Sequence, residues 1–109
     1  VQGQNSAMGD FVVALTTVPA DFDAAGLAKT LVERELAACV NVLPGVTSVY
    51  RWKGAVESDA EQQLVIKTTA DKVAALDDAI AALHPYDVPE FIVLPIVAGS
   101  GRYLAWLDA

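Results

Sequence analysis

The only histidine, His84, is followed by Asp87 and Glu90 in the stretch His84-Pro85-Tyr86-Asp87-Val88-Pro89-Glu90. One imidazole and two carboxylates at this spacing could form a shallow site for a labile divalent ion, whereas a closed structural zinc site ordinarily has four protein ligands. The alternatives are a helix-closing histidine beside Pro85 and a solvated acidic loop. Cys39 is the only cysteine. It could serve as a soft ligand, or as a small buried hydrophobe at a helix-to-strand junction. Lys67 interrupts the apolar run Leu64-Val65-Ile66-Lys67-Thr68-Thr69 and needs a partner or access to water. No serine nucleophile elbow, His-Glu-x-x-His helix or glycine-rich phosphate loop is present, so no residue is given a catalytic role and the chain is read as non-enzymatic.

These groups need a scaffold, and the hydrophobic pattern supplies one. Phe11 to Val18 is a β-branched run ended by Pro19, as expected for a central strand covered on both faces. Asp21 or Asp23 can cap a helix running to about Ala38, with Leu27, Ala28, Leu31, Val32 and Leu36 on one stripe. From Cys39 the period becomes two. Pro44-Gly45 predicts a bulge or bend, and Lys53-Gly54-Ala55 predicts a tight turn with Gly54 at positive φ. The return strand runs from about Val56 to Thr69. A second helix is expected over Ala70 to His84, capped by Thr69, with Val73, Leu76, Ile80 and Leu83 turned inward. A last strand covers Phe91 to Val97, placed at an edge by Pro95, and the terminal segment Gly99 to Asp108 carries Tyr103, Leu104 and Trp106 to cap an open surface.

The order strand, helix, strand, strand, helix, strand predicts an α/β (α+β) fold of the ferredoxin-like βαββαβ type. It has a four-stranded antiparallel sheet, two helices on one face and an extended hairpin arm. Residues 1–9 read as a disordered tail or tag remnant, and residues 10–109 as one domain. A helix of about 15 residues spans roughly 22 Å, but a strand from Cys39 to Lys53 would span roughly 50 Å. The hairpin must therefore project. Its Val49, Tyr50 and Trp52 call for burial between subunits, the alternative being a hairpin folded back over its own sheet.

Composition supports an assembly. Hydrophobic residues make up 54% of 109 positions, and the mean hydropathy is +0.40, high for a chain with so little interior. Seven basic against 14 acidic residues give a net charge of −7, which repels nucleic acid and anionic membranes and favours cations. Tyr50 and Trp52 alternate with Arg51 and Lys53 as in some nucleic-acid platforms, but the facing run Glu57, Asp59 and Glu61 opposes that use. A lone cysteine fits a reducing, cytoplasmic setting, and neither a leader pattern nor an apolar span of about 20 residues is seen.

The segment Cys39-Val40-Asn41-Val42-Leu43-Pro44-Gly45-Val46-Thr47-Ser48-Val49-Tyr50-Arg51-Trp52-Lys53-Gly54 resembles the CutA family of divalent-cation tolerance proteins. Ile66-Lys67-Thr68-Thr69, the His84 to Glu90 stretch, and Tyr103-Leu104-Ala105-Trp106-Leu107 match further family segments in order. The resemblance implies a homotrimer joined by β-arms, similar to PII signalling proteins, that weakly binds divalent cations, copper foremost. It aligns His84 with a family histidine proposed to contact copper, while some relatives carry cysteine in place of Thr16 and histidine in place of Leu83. Its second implication is a PII-like small-molecule cleft between subunits, lined by Arg51, Lys67, Tyr86, Glu90, Tyr103 and Trp106. A third is a non-enzymatic interaction scaffold.

Overall fold

A computed structural model describes residues 10–108; the expected tail over residues 1–9 lies outside the described residues. The elements are β1 (Phe11–Pro19), α1 (Ala24–Glu33), β2 (Cys39–Trp52), β3 (Ala55–Thr69), a 3-10 turn (Ala70–Lys72), α2 (Val73–Leu83), β4 (Ile92–Pro95) and α3 (Gly101–Asp108). The sheet order is β2-β3-β1-β4, with every pairing antiparallel. This is the expected ferredoxin-like arrangement. β1 is central, and β4, with its Pro95, is an edge strand, where a missing donor costs no ladder bond.

Alternation along β1 and β3 sends Ala14, Val18, Leu64 and Ile66 toward α1 and α2. There they join Leu27, Leu31, Leu76 and Ile80 in one fully enclosed core. Asp23 is the cap of α1, its Oδ1 accepting from the Gly26 N–H at 2.9 Å. That bond satisfies one of the donors a helix start leaves free.

Three boundaries depart from the sequence pattern. α1 stops at Glu33 and not near Ala38, because Glu35 turns to φ 59° and breaks the helical path. The Thr69 hydroxyl bonds the Asp71 carboxylate and caps no backbone N–H, so a 3-10 turn precedes α2. The terminal segment is a helix, α3, whose Leu104 and Leu107 pack with Phe11, Ala38 and Ile96. Phe11 lies on the opposite side of the pleat from Ala14, so α3 covers one end of the sheet face that α1 and α2 leave open.

The arm forms as its turn chemistry requires. Lys53 and Gly54 both adopt positive φ, 50° and 82°, giving the two-residue turn whose twist suits a hairpin. Leu43 pairs with Gln63 and Val46 with Glu61, so Pro44 and Gly45 together face Gln62. That bulge inserts one residue and exchanges the two faces of β2. Gln62 works opposite it: its Nε2 donates to the carbonyls of Pro19 at 3.0 Å and Phe22 at 2.9 Å, tying the arm's base to the loop before α1. The chain extends 46 × 28 × 23 Å with a radius of gyration of 15.1 Å, against about 13 Å for a compact chain of this length.

Candidate functional site

His84 is the C-cap of α2, its N–H donating to Ile80 O at 2.9 Å. The ring is buried at 8% exposure. Its Nδ1 accepts from the backbone N–H of Tyr86 at 3.0 Å, and Nε2 lies 2.7 Å from Thr17 O. A backbone N–H can only donate and a carbonyl can only accept, so the proton sits on Nε2. Both ring nitrogens are therefore committed to backbone groups, which fastens the loop after α2 to β1.

Tyr86 continues from that loop. Its hydroxyl donates to Glu61 Oε2 at 2.8 Å, which gives the buried Glu61 carboxylate a partner. Farther out on the arm, the Tyr50 hydroxyl donates to Asp59. Both phenols titrate high. Tyr86 is raised from 10.0 to about 12 by desolvation and by its hydrogen bond to Glu61. Tyr50 is raised to about 12 chiefly by its hydrogen bond to Asp59. In each case a neighbouring carboxylate disfavours the phenolate. In the sequence Glu57, Asp59 and Glu61 read only as an acidic run. The detectable signal is Tyr50, cross-strand from Glu57 and diagonal to Asp59.

The expected metal residues are distributed unevenly. Asp87 is exposed and Glu90 half-buried in the His84 loop. Cys39 pairs with Lys67, which pairs with Val13, while His84 reaches β1 at Thr17, four positions along the strand. Within one chain Cys39 is not brought beside His84. Among the described residues no group of three or more His, Cys, Asp or Glu is placed to hold a metal ion.

The residues expected to line a cleft fall into three places. Arg51 stands on the exposed arm opposite Val56. Tyr86 and Glu90 belong to the His84 loop. At the other end of the sheet the Lys67 ammonium lies 5.8 Å from the Tyr103 ring centroid, and Tyr103 and Trp106 lie 5.6 Å apart, tilted by 31°. Such contacts suit a cation that must cross an apolar surface.

The arm residues are open to solvent: Val49 is 68%, Tyr50 41% and Trp52 57% exposed. The sheet face away from α1 and α2 carries Val13, Leu15, Val65, Ile92 and Leu94 in register. No helix among the described residues is long and apolar enough to cross a membrane.

A family model described as CutA1 divalent ion tolerance protein matches residues 12–109. The Thermus thermophilus divalent-cation tolerance protein CutA is 52% identical over 95 residues, covering 87% of this chain and 92% of that protein. A Xenopus laevis protein named as a CutA homolog is 50% identical over 99 residues, which cover 91% of this chain but 66% of the frog protein's length. The solved structure of the Thermus thermophilus divalent cation tolerance protein superposes with a TM-score of 0.87 at 50% identity, covering 90% of this chain and 95% of that one. Together these place the chain in the CutA1 divalent ion tolerance protein family.

Proposed function

We propose that the chain is the subunit of a β-arm-linked homotrimer that takes up divalent cations weakly, copper foremost, in metal tolerance. The observation that carries the cation reading is the His84 loop: the sole imidazole sits on the same short loop as Asp87 and Glu90. Its Nδ1 lone pair is held by one backbone N–H, from Tyr86. A borderline cation can take that lone pair only by displacing the Tyr86 N–H, so binding is weak and labile by construction. The two carboxylates add charge without closing a four-ligand cage. Cys39 would enter only from another subunit, and as a lone thiol it suits a reducing, cytoplasmic compartment.

Trimerisation is supported by the exposed arm and by the apolar sheet face, since each buried large side chain is worth roughly 1.5 to 3 kcal/mol before ordering costs. Calorimetric titration of chelator-stripped protein with Cu²⁺ tests the cation reading, beside His84→Ala and the double variant Asp87→Asn, Glu90→Gln. Binding should be saturable and lost in His84→Ala, and the double variant should weaken it by about tenfold. Equal binding in all three proteins would remove the site.

A further inference from the structure

The turn that ends α1 delivers Leu36 and Ala37 to the core, but it is made by a residue its backbone conformation does not favour. The Leu36 N–H donates to Leu31 O at 3.0 Å and the Glu35 N–H to Val32 O at 2.9 Å. These two bonds close the helix and set Glu35 at φ 59°. Glycine is the preferred residue there, because a Cβ in this conformation crowds the backbone. The carboxylate of Glu35 makes no hydrogen bond within the described residues that would compensate. Backbone strain of this kind persists where the surrounding structure or a function repays it, and the carboxylate it carries is exposed.

Glu35 lines a cleft of about 260 Å³ between the end of α1 and α3. Val32, Ala38 and the open face of Trp106 supply its apolar surface, with Ala37 and Leu107 all but buried beneath, and Lys72 completes the wall. Trp106 is 55% exposed, so much of its indole is open. The volume lies just below the range of drug-sized pockets and suits a molecule of about ten heavy atoms. One carboxylate, one ammonium and one indole around a mainly polar cleft with a small apolar patch match a small zwitterion. A ligand ammonium would be attracted by Glu35 and by the π face of Trp106, and a ligand carboxylate by Lys72. A short aliphatic side chain would rest on Val32 and Ala38.

We propose that this cleft binds a free aliphatic α-amino acid. The site is separate from the His84 loop, and its occupancy needs no metal. Weak binding, with Kd in about the millimolar range, is expected for so small a ligand.

The test is a titration of chelator-stripped, ¹⁵N-labelled protein with L-leucine, following the indole N–H signals of Trp106 and Trp52. Trp52, out on the arm, serves as the internal control. The Trp106 signal should shift saturably while that of Trp52 stays fixed. 3-Methylbutylamine and 4-methylpentanoate, each lacking one of leucine's charges, should bind about tenfold more weakly. Glu35→Gly removes the carboxylate while easing the backbone, so the variant folds and should lose the response. Lys72→Gln should weaken leucine but leave the amine unchanged. A linear, non-saturating shift, parallel shifts at Trp52, or an unaltered titration in Glu35→Gly would each overturn the proposal.

Discussion

β3 contains two environments in one strand. From Ala55 to Ala60 all residues are exposed, whereas Leu64, Ile66 and Thr68 are buried to 1% or less. β2 pairs along both halves, interrupted only by the bulge opposite Gln62. What changes is the layer above. α1 and α2 cover the half that also pairs with β1, while the distal half has only β2 beside it. Strand formation and burial are therefore separable here. The first follows from β-branched residues and a good turn, the second from a partner layer that the arm lacks within its own chain.

The most severe test of this contrast is a matched pair of truncations in β3. Leu64→Ala opens a cavity in the enclosed core and should cost about 2–5 kcal/mol. Val56→Ala, at a position 68% exposed, should change the stability of an isolated subunit by less than about 0.5 kcal/mol. Urea unfolding at several protein concentrations measures both. If the arm is buried between subunits, Val56→Ala lowers stability in a concentration-dependent manner, because association adds to apparent stability by mass action. A concentration-independent loss as large as that of Leu64→Ala would break the comparison.

A smaller effect, of opposite sign, is expected at Thr16. Its side chain is fully buried on the helix side of β1, and its Oγ1 has no hydrogen-bond partner. An unpaired buried hydroxyl is costly, and valine has nearly the same shape. Thr16→Val should stabilise by about 1 kcal/mol in the same urea assay. A loss of stability would mean that the hydroxyl is satisfied by something the core accommodates, such as a buried water.

Much of this contrast was legible beforehand, for local reasons. The turn at Gly54 and the bulge at Pro44-Gly45 follow from local backbone preferences, glycine admitting positive φ and proline fixing its own. The end of α1 was not legible. Val32 and Leu36 continue the apolar spacing past Glu33, and neither glycine nor proline marks the stop that Glu35 makes. The helical form of α3 was also hidden, since the eight residues Gly101–Asp108 begin at a Gly-Ser-Gly stretch and gain a reason to coil only when Phe11 offers Leu104 and Leu107 a surface. At the candidate site His84 was visible as an imidazole. Its use was not, because the Thr17 carbonyl that fixes its proton lies 67 positions away in sequence.

The junction between the two environments is where Tyr86 meets Glu61, and pH can probe it. The Tyr86 phenol is raised from 10.0 to about 12, first by desolvation and then by its bond to Glu61. The folded state therefore keeps a proton that the unfolded chain has released between about pH 10 and 12. Proton uptake is then greater in the folded form, so the contribution is fully present below about pH 10 and is lost as pH rises toward 12. Tyr50 acts with the same sign and is about as exposed, 41% against 38% for Tyr86, but its partner Asp59 is open to solvent whereas Glu61 is buried, so screening leaves it less weight. Tyr86→Phe should be less stable at neutral pH, because the buried Glu61 carboxylate loses its donor. It should also decline less steeply than the parent above pH 10, whereas Tyr50→Phe should follow the parent. Melting temperatures across that alkaline range measure the slopes. A parent-like slope in Tyr86→Phe would locate the pH sensitivity outside this junction, and a flattened slope in Tyr50→Phe would mean that the arm is buried in the assembled protein.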